Sequence, residues 1–178
     1  MNSFLRPPRI LVSAALLGMT LGAHAADGTP GTTSTGTMAL SVIVPNIIVI
    51  RDVADPAPAT FDGVTDVDFT DSVCVGTNGA AGYSITATSA NGTGGAFQLT
   101  DGTNTVNYNV AWANSSGATS GTAFGTSGAT QNYGAGPVSN IACAATNATA
   151  VITVPAANLQ AVPAATYTDT LSLTVAPL

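Results

Sequence analysis

Apolar and polar positions first fall into a regular order just after Thr37. Met38, Leu40, Val42 and Val44 share one face and Ala39 and Ser41 the other, the period of a half-buried β-strand. Pro45-Asn46 interrupts the pattern. Ile47, Ile48, Val49 and Ile50 then form a continuous apolar run, which predicts a strand buried on both faces. Residues 28–37 ahead of it hold only Gly, Thr, Ser and one Pro, the composition of a flexible leader. An apolar strand on a flexible arm is an aggregation hazard when left free. Its placement reads as a strand built to be donated to another molecule.

Short alternating segments follow, each closed by turn residues. A Pro-rich connection, 54–59, leads to Val67 and Phe69 alternating with polar residues, then to a short strand, 72–75, and a hairpin turn over 76–82. Residues 83–88 and 97–100 are predicted strands, the second closed by Asp101-Gly102, a strong turn dipeptide. Val106, Tyr108, Val110 and Trp112 share one face opposite Asn107 and Asn109, the longest alternation in the chain. Residues 115–136 are rich in Gly, Ser and Thr and read either as mobile loops or as short edge strands. Residues 141–144 and 148–154 are further strands, and 156–160 could hold one helical turn. Tyr167, Leu171, Leu173 and Val175 alternate with Thr168, Thr170, Ser172 and Thr174 in a last strand over 167–175. Eight or nine short strands with turns every 8–12 residues predict an all-β sandwich of immunoglobulin-like Greek-key type.

The N-terminus changes the bookkeeping. Arg6 and Arg9 flank a Pro pair, a short apolar run covers 10–21, and Ala23-His24-Ala25 supplies a small-x-small site. That is a secretory signal peptide over residues 1–25, cut after Ala25; an apolar run of about 12 residues is too short to span a bilayer. Export leaves roughly 150 residues, one domain's worth. His24, the only histidine, leaves with the signal peptide, and Arg51 stays as the sole basic residue against nine Asp, with no Lys and no Glu. A basic groove for nucleic acid or anionic lipid is thereby excluded. Only 7% of the chain is charged, against a usual ~25%, so Thr, Ser, Asn and Gln must supply surface polarity, as they do in extracellular β-proteins.

Little chemistry can be staged with this inventory. Without His, Lys or Glu no serine can be activated and no Schiff base formed, so no enzyme is expected. Asp52, Asp55, Asp62, Asp66, Asp68 and Asp71 cluster in sequence, and 62–68 loosely suggests a calcium loop. Alternation around Val67 and Phe69 instead puts Asp66 and Asp68 on the wet face of a strand, and no metal or cofactor is expected. Trp112 and Tyr108 could stack on a sugar, but a shared face with Val106 and Val110 makes them core. The Asn-x-Ser/Thr triplets at Asn91, Asn114 and Asn147 are the chance product of this composition. Cys74 and Cys143, the only cysteines in an exported chain, point to one disulfide; a reactive thiol or metal pair is the alternative. Closing a loop of roughly 70 residues is worth about 4 kcal/mol in the chain-entropy account.

The stretch Ala165-Thr166-Tyr167-Thr168-Asp169-Thr170-Leu171 resembles the closing strand of chaperone–usher pilins, with its Gly/Ala-x-Tyr-x-Asp/Gly-x-Leu/Val pattern. The apolar strand broken by Pro45 and resumed at Ile47 resembles the start of alpha-class, colonisation-factor-type pilins. Residues 72–75 and 163–167 are also similar to the spore-coat-protein-U-like subunits of archaic systems. Many pilins link an early strand to its neighbour by a disulfide, whereas here no cysteine precedes Cys74.

The resemblance implies an incomplete immunoglobulin-like domain, 47–178, completed by a donor strand, 38–44, that follows a leader, 26–37. Met38, Leu40, Val42 and Val44 would then fill a groove lined by Tyr167, Leu171, Leu173 and Val175 of a neighbour. It further implies a surface fimbria grown as a homopolymer for adhesion or biofilm formation. A periplasmic chaperone and an outer-membrane usher would assist, and an unidentified host or surface receptor is possible. The alternative is a secreted adhesin, or a spore-coat or biofilm-matrix protein, with an immunoglobulin-like binding domain.

Overall fold

The computed structural model describes residues 25–134 and 140–178; the expected signal peptide lies outside them, apart from Ala25. The chain divides into two compact units, Met1–Val44 and Pro45–Leu178. The second unit is an immunoglobulin-like β-sandwich. Its strands are β1 (Ile48–Arg51), β2 (Val67–Thr77), β3 (Tyr83–Ser89), β4 (Phe97–Thr100), β5 (Thr105–Ala113), β6 (Thr122–Ala123), β7 (Thr130–Tyr133), β8 (Ala148–Val154) and β9 (Leu171–Pro177), with one short helix, α1 (Ala156–Gln160). One sheet has the order β1-β2-β8-β5-β4, with β6 beside β5, and the other β7-β3-β9. Every named pair is antiparallel.

Alternation builds the core as the sequence predicts. Val106, Tyr108, Val110 and Trp112 all point inward from β5, and meet Val73 and Val75 of β2, Ala148 and Ala150 of β8, and Tyr83, Ile85 and Ala87 of β3. Trp112 is fully buried and donates its indole N–H to Tyr83 Oη at 2.9 Å; that hydroxyl in turn donates to Asn114 Oδ1 at 2.8 Å. The only tryptophan and its tyrosine neighbour are therefore core residues with satisfied polar tips. Burial is the main reason the Tyr83 hydroxyl is pushed up to about 12.

Several local expectations are corrected. Residues 76–82 do not make a hairpin: β2 pairs with β1 and β8, while β3 pairs with β7 and β9. The segment crosses from one sheet to the other, and Gly82 makes the crossing possible. Its φ is +98°, and a Cβ there would collide with the Tyr133 carbonyl. The first strand begins at Ile48 and is an edge strand whose apolar residues are half-buried rather than covered on both faces. The short strand expected at 72–75 is the end of an eleven-residue strand, β2. The polar stretch after Ser115, open between mobile loops and short edge strands, holds the two short strands β6 and β7.

Cys74 and Cys143 form the expected disulfide, with Cα atoms 5.7 Å apart, inside the bridgeable range. Cys143 is not in a strand, however. It sits in a turn with φ +50°, a left-handed conformation uncommon for a side chain with a Cβ, and the bridge ties that turn to β2.

Candidate functional site: an apolar arm and an open sheet edge

Within the first unit, Ala26 and Thr37 exchange backbone hydrogen bonds of 3.1 and 3.0 Å, closing the leader into a loop. The residues after it belong to no strand, and Met38, Leu40, Val42, Ile43 and Val44 are each at least 74% exposed. Alternation alone did not make a strand here. A single strand gains nothing from extension until a ladder satisfies its backbone, and the described residues provide none.

Among the described residues of the sandwich, β9 is bonded on one side only. Its register to β3 runs from Tyr83↔Pro177 to Ser89↔Leu171. Thr170 C=O accepts from Ala90 N–H at 3.0 Å and Leu178 N–H donates to Gly82 C=O at 3.2 Å. Because antiparallel bonding alternates by residue, the even-numbered residues of β9 face β3. The N–H and C=O groups of Leu171, Leu173 and Val175 therefore face the other edge, where no strand pairs with them among the described residues. The side chains of these same three residues pack against the core yet stay partly exposed. Pro177, which lacks an N–H, falls on the same open side, as proline does at sheet edges.

Across this edge the opposite sheet presents β1, close beside β9, whose Ile48 and Ile50 are likewise half-buried on the core. An immunoglobulin sandwich sets strands A, B, E and D against C, F and G. Here β1-β2-β8-β5 take the first four places and β3 and β9 those of C and F. The place beside F coincides with the open edge of β9.

Of the four residues expected to line a last strand, Leu171, Leu173 and Val175 belong to β9 and Tyr167 does not. The chain at Thr168 instead bridges Thr100 of β4, with two backbone hydrogen bonds of 2.9 Å, before it joins β3. Tyr167 donates its hydroxyl to Pro163 C=O at 2.9 Å and lines a shallow apolar hollow with Phe61, Leu159 and Val162.

Asp169 sits at that change of partner. Its Oδ2 accepts from Tyr108 Oη at 2.5 Å and Ser89 Oγ at 2.6 Å, and its Oδ1 from Asn91 N–H at 3.0 Å. One carboxylate thus joins β5 of one sheet to β3 of the other at the start of β9. Burial first, and the carboxylate second, push the Tyr108 hydroxyl above the ordinary tyrosine range.

Four aspartates of the Asp52–Asp71 stretch accept hydrogen bonds within the fold. Asp62 accepts from the Thr65 hydroxyl and from the N–H groups of Thr65 and Val64, which hold its carboxyl down to about 2. Asp66 accepts from Ala156 N–H at the start of α1, Asp68 from Thr153 Oγ1 and Asp71 from Ala54 N–H. Among the described residues no three His, Cys, Asp or Glu side chains converge on a metal position.

Two asparagines complete backbone ladders in a way that the sequence does not announce: Asn147, noted there only as part of a chance triplet, and Asn78. Asn147 accepts from Val75 N–H and donates to Val75 C=O, both at 2.8 Å, extending the β2–β8 ladder past its last backbone pair. Asn78 does the same for residues 45–47. Neither has a local signature, since each acts on backbone distant in sequence.

Compared with known proteins, the chain matches no family model and no curated sequence.

Proposed function

We propose that this protein is a structural subunit of a surface fibre, assembled when residues 38–44 of one copy add as a strand to the open edge of β9 in the next. The observation that carries the reading is the pairing of two complementary features in one chain. One is a seven-residue apolar segment, exposed and, among the described residues, without a ladder; the other is the seven-residue strand β9, with one edge unpaired among those residues and its inward side chains incompletely covered. Strand addition satisfies both. Seven residues at about 3.3 Å each reach roughly 23 Å, enough to run the length of the edge. Burying Met38, Leu40, Val42 and Val44 is worth on the order of 6–12 kcal/mol before ordering costs. The role is non-catalytic, with export through the periplasm; a chaperone guards the edge until the donor arrives and an usher assists assembly, as the resemblance to chaperone–usher pilins implies.

The test is deletion of 38–44, with Leu40→Asp as a point variant that would bury an unpaired charge. Both should leave a subunit that accepts a synthetic peptide of residues 37–45 but donates to no other copy. Denaturant-resistant ladders on gels, and fibres on cells, should disappear. Persistence of ladders and fibres in the deletion variant would refute the reading.

A further inference from the structure

We infer that Asn78 is a positioning residue for strand donation, an amide clamp that fixes the root of the arm. This rests on the donor-strand reading above. The clamp occupies the few residues where chain leaves the sandwich toward the arm, and its geometry is that of a peptide group. Asn78 Oδ1 accepts from Ile47 N–H at 2.7 Å, and Nδ2 donates to Pro45 C=O at 2.8 Å. The Asn78 backbone N–H donates to Ile47 C=O at 3.2 Å, and Thr77 Oγ1 donates to the same carbonyl at 2.9 Å. The carbonyl of Pro45 and both backbone groups of Ile47 are thus engaged before β1 begins. Pro45 itself has no N–H to offer.

The placement has a mechanical consequence. The β1–β2 register starts at Ile48↔Thr77, so the clamp sits one residue ahead of the first ladder pair. Any pull on the arm reaches the clamp before β1, which is only four residues long and lies at the sheet edge. The disulfide does not share that load. It joins β2 to the turn at Cys143 and makes no covalent link to β1. The clamp therefore fixes residues 45–47 ahead of β1, and with them the donor segment's starting point. A fixed start lowers the ordering cost when that segment enters a neighbour.

Each copy both donates and accepts, so the two capacities can be measured separately. Donation is followed as the rate at which a full-length subunit enters the edge of an arm-deleted acceptor. Acceptance is followed as uptake of the synthetic 37–45 peptide. Asn78→Ala should slow donation by about three- to tenfold, the worth of about one net hydrogen bond. It should leave acceptance unchanged and abolish hydrogen-exchange protection of the Ile47 amide. Asn78→Asp keeps the acceptor for Ile47 N–H but sets a carboxylate oxygen against the Pro45 carbonyl, and should slow donation at least as much as Asn78→Ala. Equal donation rates for wild type and Asn78→Ala would overturn the inference. So would a parallel fall in donation and acceptance, which would make Asn78 a folding residue only. Failure of the wild type itself to donate would instead bring down the donor-strand reading, and this inference with it.

Discussion

Replacing Asp169 with alanine tests whether one carboxylate locks the two sheets together where β9 begins. The substitution removes the acceptor shared by Tyr108 Oη, Ser89 Oγ and Asn91 N–H. Tyr108 is only 6% exposed, so its hydroxyl cannot turn to water. A buried donor stripped of its partner costs about 1–3 kcal/mol. Ser89 keeps weaker contacts with Gln98, and Asn91 is partly exposed, so together they add about 1–2 kcal/mol. The expected loss is about 2–5 kcal/mol, or a fall of roughly 5–20 °C in Tm for a domain of this size. Urea and thermal unfolding followed by the fluorescence of Trp112, the single tryptophan, would read it.

The sharper arm is the double variant. Adding Tyr108→Phe to Asp169→Ala removes the orphaned hydroxyl and should restore part of the stability, because deleting both partners of a buried hydrogen bond costs less than deleting one. A loss below about 1 kcal/mol for Asp169→Ala, or a double variant less stable than the single, would refute the argument.

Stability should be flat between about pH 5 and 9, since no Lys, Glu or His follows Ala25. Below that window Asp62 and Asp101, both depressed to about 2 by side-chain and backbone hydrogen bonds, contribute stability that is complete above about pH 4 and lost as pH falls toward 2. Above it, Tyr83, raised to about 12, and Tyr108, also raised, hold their protons more tightly folded than unfolded; stability should fall as pH rises past about 10. A Tm-against-pH series checks both limbs, and a step near pH 6–7 would contradict the assignment. Gly76→Ala should loosen the disulfide turn, because a Cβ there would stand 2.5 Å from Asn140 O and 2.9 Å from Cys143 Sγ. A loss of about 1–3 kcal/mol is expected, and an unchanged melt would show that the turn shifts freely.

What the residue order settles by itself is the class of fold and much of its core. Period-two alternation is a property of neighbours in sequence, so Val106, Tyr108, Val110 and Trp112 announce an inward face without reference to any partner. Asp101-Gly102 likewise announces the β4–β5 turn. The disulfide was legible from cysteine count and the expected export. The arm was legible as an apolar segment out of place.

Pairing belongs to the tertiary structure. Whether residues 76–82 turn back or cross between sheets depends on which strands compete for the edges of β2. That competition was won by β1 and β8, both distant in sequence from β3. The same long-range choice leaves one edge of β9 open, starts that strand at Leu171 rather than Tyr167, and draws Asp169 between Tyr108 and Ser89. The roles of Asn78 and Asn147 stayed invisible for a related reason. An asparagine in a turn has the same local signature whether it faces water or stands in for a peptide group, and only the fold brings up the backbone that it completes.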